Sequence, residues 1–384
     1  MNRARAIVVG GGPVGLAFAC AARGIDVHVL ESTPLGSAPP GEAFDLRVFA
    51  LSPGTREFLH SLGAWERMAK ERVAAVRRME VRGDDGRSRL DFAAPPGEAL
   101  AWIVEAGRLG HALEESARAA SIAIAHGARV CALRADAGGV EVELAEGATL
   151  AANLLVGADG PDSWVRRALG MGVEEKRYGE AAVVANFRCE RSSEGVARQW
   201  FRDDGVLAWL PLPGSRISIV WSVSSSLAAE LAVLDADALA HRVRDAGDAA
   251  LGDLAPDSPV ATFPLRLLRV PTPVVAGAVL IGDAAHGLHP LAGQGVNLGF
   301  QDARLLAESI ASRSAVERPG DLRVLRRYAR ARREDVAAMQ FVTDRLDWLF
   351  SHPAPGVAAL RNTGMALVNS QSWARRALAQ RAMR

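Results

Sequence analysis

A glycine-rich turn near the N-terminus, set between a buried strand and a helix, constrains the fold of this chain more than any other feature. Apolar residues at 6–9 are followed by Gly10, Gly12 and Gly15 in the spacing GxGxxG, and an apolar helix follows the turn. The first glycine permits a tight turn, the second lets the backbone approach a pyrophosphate, and the third allows close packing of the helix on the strand. The helix start offers free N–H groups to the phosphates. The residues predicted to bind the cofactor at this turn are Gly10, Gly12, Pro13, Val14 and Gly15.

A second strand supports this interpretation, because it ends in an acid at the spacing that a dinucleotide fold needs. The segment 26–30 is followed by Glu31, twenty-one positions after Gly10. A carboxylate there accepts hydrogen bonds from ribose hydroxyls and repels a 2′-phosphate, so FAD or NAD is favoured over NADP at this turn. The basic start and apolar run of residues 1–22 also resemble a signal peptide, but residues 10–13 interrupt the run.

Two further turns carry an aspartate after a strongly apolar strand. Asp159 follows the strand at 154–157, and Asp283 follows the strand at 279–281. Ligands of α/β sheets bind at the carboxyl ends of the strands, so the three acids predict a ligand extended across the sheet, which FAD fits. We expect Asp283 to bind the ribityl hydroxyls, and backbone N–H groups of the next loop to face the pyrimidine edge of the flavin and stabilise its reduced anion. The loop residues predicted to contact FAD are Pro290, Gly293, Gln294, Gly295, Val296 and Asn297.

Composition excludes several other classes of protein. The 384 residues contain 45 basic and 44 acidic side chains, for a formal net charge of +1, so no nucleic-acid partner is expected. Cys20, Cys131 and Cys189 are scattered and odd in number, which disfavours a disulfide framework and fits a reducing compartment. His286 and His289 have HxxH spacing, but no further ligand accompanies them, and no metal is expected.

Together the motifs resemble those of class A FAD-dependent aromatic hydroxylases, which have the p-hydroxybenzoate hydroxylase fold. Within that class the chain is most similar to the ubiquinone-biosynthesis hydroxylase family, and the resemblance covers nearly the whole sequence. Its most specific part is the loop at 286–299. The other segments that carry it are 10–15, 45–52, 62–65, 157–160, 282–286, 328–333, 347–350 and 360–364.

The resemblance implies a reaction as well as a fold. NADPH or NADH would reduce the FAD as a transient reductant, O2 would be the co-substrate, and a flavin hydroperoxide would hydroxylate an electron-rich aromatic ring, expected to be that of a polyprenylated phenol. It also implies that Arg47 in the Asp-x-Arg segment lies near the flavin, with a surface salt bridge as the alternative. The sequence identifies no protein general base, so the catalytic residues stay unknown.

Two positions depart from the family. A polar residue often precedes the helix near Gly107, but the matching position is Ala106, so either Glu105 or Arg108 contributes in its place or no residue does. Glu194 stands where relatives often carry histidine, which puts any substrate contact at that position in doubt.

The fold predicted from these patterns is α/β, with a Rossmann-like FAD-binding domain formed by residues 1–75, 97–176 and 270–320. A mostly antiparallel β substrate domain is predicted over 76–96 and 177–269, because hydrophobic residues there alternate. Trp200, Trp209 and Trp221 concentrate in this region and have two interpretations. They form the core of a hairpin, or an apolar substrate-pocket wall that limits water access to the flavin, and the two roles overlap.

A helical region is predicted over residues 321–384. Its six arginines between 323 and 333 are interpreted as a solvated helix face in preference to a binding patch. From residue 351 onward, five arginines and no acids are interleaved with apolar residues. This pattern favours binding to an anionic membrane surface and docking on protein about equally. The chain is expected in the cytoplasm and not to be secreted. Peripheral contact with the inner face of the cell membrane, contact with a biosynthetic complex and homo-oligomerisation stay open.

Two alternative functions stay open at this point. The first is a soluble hydroxylase of a small phenol or secondary metabolite. The second is a non-catalytic protein with a flavin-binding fold, which binds a quinone as a scaffold in a biosynthetic complex. A flavin absorption band without NAD(P)H turnover would identify the scaffold.

Overall fold

The computed structural model describes residues 4–33, 43–85, 88–287 and 295–351. Eight α-helices lie within these ranges, together with three short 3-10 turns, of which the turn Gly282–Ala284 concerns the site. The α-helices are α1 (Pro13–Ala21), α2 (Pro53–Ser61), α3 (Ala106–Ala119), α4 (Trp164–Ala168), α5 (Ser225–Ala232), α6 (Ala236–Ala246), α7 (Gly295–Ala311) and α8 (Leu322–Ser351).

The described residues also contain strands that form four sheets. The strands are β1 (Arg5–Val9), β2 (Asp26–Glu31), β3 (Val48–Leu51), β4 (Ala74–Val76), β5 (Arg78–Arg82), β6 (Arg89–Ala93), β7 (Ala101–Glu105), β8 (Ala123–His126), β9 (Val130–Asp136), β10 (Gly139–Leu144), β11 (Thr149–Ala152), β12 (Leu154–Gly157), β13 (Glu174–Cys189), β14 (Val196–Arg202), β15 (Gly205–Leu212), β16 (Arg216–Ser224), β17 (Leu254–Pro256), β18 (Ala261–Arg269), β19 (Val274–Val275), β20 (Ala278–Leu280) and β21 (His286–Gly287).

The N-terminal sheet has the order β19-β20-β12-β1-β2-β8, and all its pairings except that of β19 with β20 are parallel. Strands β1 and β12 are apolar and buried because one face of the sheet packs on helices α1, α3 and α7 and the other face packs on strand β10. Helix α1 packs between α3 and α7, with Leu16 and Phe18 fully buried. Burying such a side chain stabilises the fold by about 1.5–3 kcal/mol. This sheet therefore aligns the carboxyl ends of β1, β12 and β20 at one edge.

The largest sheet has the order β21-β18-β13-β16-β15-β14-β5-β6, with β17 paired to β13. Its pairings are antiparallel apart from that of β14 with β5. Helices α5 and α6 and the residues Phe187, Trp209 and Trp221 belong to one core cluster with this sheet. Strands β5 and β6 fall within 76–96 and β14 to β18 within 177–269, while the domain boundaries themselves stay a prediction.

Two smaller sheets complete the architecture. The order β3-β7-β4 forms one and β11-β10-β9 forms the other. The predicted α/β class with an antiparallel insertion is confirmed. None of the helices in the described ranges is both long and apolar enough to span a membrane.

Candidate cofactor site and active site

The glycine turn between β1 and α1 has the geometry that a pyrophosphate requires. Gly10 adopts φ +108°, and a Cβ there would lie 2.3 Å from the carbonyl oxygen of Ala158. A Cβ on Gly15 would lie 2.1 Å from the carbonyl oxygen of Gly10, so α1 packs directly on the turn. A Cβ on Gly12 would meet no atom within 4 Å. The first N–H groups of α1 therefore have open space before them, and this turn fits the diphosphate of FAD.

Pro13 and Val14 open α1 and bring two other predicted motifs to it. Proline at the first helical position lacks an N–H where the helix would leave one unpaired. A Cβ on Gly282 would lie 3.2 Å from Cγ1 of Val14, and a Cβ on Gly299 would lie 2.6 Å from its Cγ2. The start of α1, the turn that carries Asp283 and helix α7 therefore meet around Val14.

Glu31 ends β2 and turns its carboxylate toward the glycine turn. Its Oε2 accepts a hydrogen bond from the Gly11 N–H at 2.6 Å, and its Oε1 accepts one from the Thr33 N–H at 2.8 Å. Each carboxylate oxygen has two lone pairs, so these bonds fix the side chain and leave acceptor capacity for ribose hydroxyls. The ribose contact stays a prediction.

The turns of Asp159 and Asp283 lie at the same edge of the sheet, because β12 pairs with both β1 and β20 in parallel. Asp159 Oδ2 accepts a hydrogen bond from the Val165 N–H at 3.0 Å, whereas its Oδ1 is buried and has no partner within the described chain. Asp283 is half-buried in the turn Gly282–Ala284. A buried acceptor without a partner is uncommon in a folded protein, and a ligand hydroxyl would satisfy it.

Helix α7 begins at Gly295, so Val296 and Asn297 lie in its first turn. The buried side chain of Asn297 accepts a hydrogen bond from the Ser52 N–H at 3.0 Å and donates one to the Ala50 carbonyl at 2.9 Å. Asn297 thus ties α7 to the end of β3, a role that the sequence did not reveal. The other predicted loop residues, Pro290, Gly293 and Gln294, lie outside the described residues.

Arg47 is exposed at the start of β3. Its guanidinium lies 5.2 Å from the ring centroid of Phe49, and its backbone N–H donates to Asp45 Oδ1 at 3.1 Å. No acid in the described ranges forms a salt bridge with it, and both the flavin contact and the surface salt bridge stay predictions. Its carbonyl accepts the Ala106 N–H at 2.9 Å, which places Arg47 beside the start of α3.

The departure at Ala106 is accompanied by a network that sequence reasoning missed. Buried Glu105 accepts hydrogen bonds from the Asp45 N–H at 2.8 Å and from Arg72 Nε at 2.9 Å, and Arg108 Nε lies 2.9 Å from its Oε2. Asp45 Oδ2 in turn accepts the Gly107 N–H at 2.8 Å, at the N-terminus of α3. Glu105 is therefore held by Arg72 and the Asp45 backbone, and Arg108 forms an ion pair with it.

Glu194, the second departure, lies in an exposed turn between β13 and β14. It adopts φ +52°, a left-handed conformation, and Gly195 follows it at φ +72°. The side chain thus belongs to a surface turn, and no described contact supports a substrate role for it.

The proposed role of Trp200, Trp209 and Trp221 as a substrate-pocket wall stays a prediction. All three are buried in the core cluster that α5 and α6 cover. In the register of the sheet Trp221 lies opposite Val183, whereas Asn186, on the other face of β13, donates to the Asp45 carbonyl at 3.1 Å. Since side chains alternate along a strand, the tryptophans point away from the face that meets the Asp45 segment. The hairpin-core interpretation is the one that the structure supports.

A buried carboxylate in α7 connects the turn of Asp283 to α8. Asp302 Oδ2 accepts hydrogen bonds from the Gly282 N–H at 2.8 Å and from His286 Nε2 at 2.6 Å. Its Oδ1 accepts one from Arg332 Nε at 2.6 Å. Burial by itself raises the pKa of the Asp302 carboxyl, but the charges and hydrogen bonds of His286 and Arg332 outweigh it and lower that pKa to about 2. Asp302 is therefore ionised at neutral pH and positions the start of the turn.

The sequence offered only weak signals for this network. Its members, Asp302, His286 and Arg332, lie in three different elements, and periodicity predicts Asp302 as another polar residue of α7. The same His286 was considered as half of a metal pair, but its Nε2 bonds Asp302. Its partner in that hypothesis, His289, lies outside the described residues.

Comparisons with known proteins agree with this geometry. The profile of the FAD binding domain family matches residues 3–342. The ubiquinone hydroxylase UbiL of Rhodospirillum rubrum is 35% identical over 98% of this chain and 89% of its own length. The 3-demethoxyubiquinol 3-hydroxylase of Escherichia coli (strain K12) is 31% identical, with 93% of each chain covered.

A solved structure shows the same fold. HpxO of Klebsiella pneumoniae, in complex with FAD and uric acid, superposes with a TM-score of 0.77 over 99% of this chain and 97% of that chain, at 19% identity. At this identity the similarity concerns the fold alone. The predicted fold class, FAD cofactor and monooxygenase class are confirmed, and the chain belongs to the FAD binding domain family.

Proposed function

We propose that this protein is an FAD-dependent monooxygenase that hydroxylates the aromatic ring of a polyprenylated phenol in ubiquinone biosynthesis. One observation carries the proposal: the Gly10, Asp159 and Asp283 turns converge on one edge of the parallel sheet. The relatives named for hydroxylation of ubiquinone and of 3-demethoxyubiquinol, which match almost the whole chain, support the substrate class.

Each turn has a distinct part in binding the cofactor. The open space at Gly12 and the N–H groups of α1 would hold the diphosphate, and Glu31 would accept the ribose hydroxyls. Asp283 would bind the ribityl chain, and the start of α7 would present its N–H groups to the flavin ring. Arg47, without an acidic partner in the described ranges, is free to contact the cofactor.

When bound, FAD takes two electrons from NADPH or NADH and activates O2, so that one oxygen atom enters the ring and the other leaves as water. The protein positions the ring and keeps water out.

Replacing Asp283 by alanine tests the cofactor site. Asp283→Ala should purify without FAD, because the ribityl hydroxyls lose their acceptor, while Asp237→Ala on the exposed face of α6 should keep full flavin content. The flavin absorbance of each purified protein, divided by protein concentration, measures this. Full stoichiometry in Asp283→Ala would contradict the assignment.

Deleting the gene in its host tests the substrate. We expect ubiquinone to disappear and a polyprenylated phenol that lacks one hydroxyl to accumulate, with mass spectrometry of the quinone pool as the measurement. Wild type should restore ubiquinone, and Asp283→Ala should not. An unchanged pool would favour a small-phenol hydroxylase, and rescue by a flavin-free variant would favour a scaffold.

Peripheral membrane contact, a biosynthetic complex and a homo-oligomer remain proposals for the C-terminal region. The basic segment on which they depend, 352–384, lies outside the described residues. Its composition, five arginines and no acids, supports attraction to an anionic lipid surface.

A further inference from the structure

A cavity of about 310 Å³ lies between the segment 269–274 and helix α8. The buried side chains of His286, Asp302 and Tyr328 contribute to its lining. None of the predicted FAD-binding residues that the structure describes lines it. It is therefore separate from the three strand-end turns, although His286 follows closely after the Asp283 turn.

The lining of this cavity carries far more positive than negative charge. Five arginines and one carboxylate, Asp302, contribute to it. Arg332 is paired with Asp302, and Arg269 Nη1 lies 3.8 Å from Glu174. The remaining three arginines are exposed and have no acidic or hydrogen-bonding partner within the described ranges: Arg326, Arg330 and Arg333.

These three arginines, called the α8 arginine row below, lie on one face of the helix. Arg330 follows Arg326 by four residues, and Arg333 follows Arg330 by three, so the three positions are neighbours on the helix surface. Like charges at these spacings destabilise a helix, and a bound anion would offset that repulsion. At a rise of about 1.5 Å per residue, the row extends over about 10 Å.

The chemistry of the α8 arginine row and of the cavity lining indicates which class of ligand would bind. Guanidinium groups match phosphate oxygens with paired hydrogen bonds. Apolar side chains, including Val270, Pro273 and Val336, line the same cavity and suit an uncharged body beside the charge. We infer that the cavity binds a ligand with a phosphate or pyrophosphate group on the α8 arginine row and an apolar or aromatic body in its interior. If the ligand is the nicotinamide reductant named above, this inference rests on the proposed function; if it is another phosphate ligand, the inference goes beyond that function.

Two sources share this chemistry: a nicotinamide dinucleotide and a phospholipid headgroup. Hydrogen bonds also link the cavity to the cofactor turn, because Asp302, which lines the cavity, accepts one from His286 and one from the Gly282 N–H. A ligand of either kind would therefore contact a network that reaches the turn of Asp283.

Titration of the purified, FAD-loaded protein tests the inference. Inorganic pyrophosphate, NADH and NADPH would be titrated by calorimetry, and binding to phosphatidylglycerol vesicles would be compared with binding to phosphatidylcholine vesicles. The variant Arg326→Gln/Arg330→Gln/Arg333→Gln removes the row. Its control, Arg23→Gln/Arg177→Gln/Arg323→Gln, removes the same charge from exposed positions that do not line the cavity.

We expect the row variant to weaken pyrophosphate binding by at least about tenfold, and the control to leave it within about twofold, because each lost charge-assisted hydrogen bond is strong. Loss of dinucleotide binding alone identifies the dinucleotide, and loss of vesicle binding alone identifies the lipid. Absence of pyrophosphate binding in wild type, or equal weakening in both triple variants, would overturn the inference.

A second variant tests the cavity without changing charge. Ala329 lines it from α8, so Ala329→Trp should fill the interior. We expect this variant to keep pyrophosphate binding and to lose the larger ligand, with FAD content as the check on folding. If the larger ligand still binds with unchanged affinity, its body does not occupy the cavity and the inference is wrong.

Discussion

Gly12 and Gly15 lie one helical turn apart, but the space around their Cα atoms differs. A Cβ on Gly12 meets nothing within 4 Å, whereas a Cβ on Gly15 would lie 2.1 Å from the Gly10 carbonyl oxygen. The first position therefore faces open space, where the diphosphate is proposed to bind, and the second faces the protein. Within this turn, Gly12 is therefore proposed to serve cofactor binding, and Gly15 serves the packing of the fold.

Alanine at each position should reveal this difference. Gly12→Ala should leave the thermal midpoint of the apoprotein within about 2 °C of wild type and weaken FAD binding, because the methyl group occupies the space of the diphosphate. Gly15→Ala should destabilise the apoprotein by at least about 1–3 kcal/mol, the usual cost of overpacking, since backbone atoms must move. Apoprotein melting and FAD titration measure the two effects. Equal melting temperatures for both variants would contradict this account.

At the scale of elements, one carboxylate joins α7, α8 and the cofactor turn. Asp302 on α7 accepts from Arg332 on α8, from His286 in β21 and from the Gly282 N–H. Arg332 also donates to the Leu298 carbonyl at 3.1 Å, which fixes α8 against the start of α7. The position of the Asp283 turn therefore depends on how α7 and α8 pack.

Asp302→Asn should destabilise the protein by about 3–5 kcal/mol, because it leaves the buried guanidinium of Arg332 with only the exposed Asp335 as a counter-charge. Asp335→Asn is the matched control, since Asp335 is 63% exposed on its side chain and pairs with the same arginine at 3.4 Å. That variant should change stability by less than about 1 kcal/mol. Urea unfolding of the FAD-free forms measures the free energy of unfolding of both variants. Similar decreases in the two would show that Asp302 stabilises the protein no more than an exposed ion-pair partner does.

The same network predicts a dependence of stability on acid pH. The pKa of Asp302 is lowered to about 2 in the folded protein from an ordinary value of 3.8, so the unfolded state binds its proton more readily. The stabilisation is complete above pH 3.8 and is lost as the pH falls toward 2. The difference in unfolding free energy between wild type and Asp302→Asn should shrink across that window. A difference that is constant from pH 5 to pH 2 would mean that Asp302 does not titrate there.

At the scale of the whole molecule, local spacing predicted more than long-range contact. The tight turn at Gly10 and the close packing at Gly15 follow from chain positions within one turn, so the sequence could predict them. The Asp302 network could not be predicted, because Arg332 lies thirty residues away on another helix. The alternation of hydrophobic residues placed Trp209 and Trp221 near one another in a hairpin. It could not indicate which face of the sheet α5 and α6 would cover.

The separation of the two cores gives a prediction about the whole chain. Trp221 is fully buried in the cluster of the largest sheet, on the face covered by α5 and α6, and the glycine turn belongs to a different sheet. Trp221→Ala should therefore destabilise the protein by about 3–5 kcal/mol through the cavity it leaves. FAD affinity, measured where the variant is still folded, should stay within about twofold of wild type.

Trp221→Phe provides the matched control for that prediction. The indole Nε1 of Trp221 is buried without a hydrogen-bond partner in the described chain, so phenylalanine removes an unsatisfied donor while keeping an aromatic ring. Its stability should fall by less than that of Trp221→Ala. If either variant instead keeps its stability and changes the KM for the aromatic substrate, the tryptophan lines the substrate pocket after all. Stability loss without a change in KM places it in the core, because side chains on opposite faces of a strand do not share a ligand.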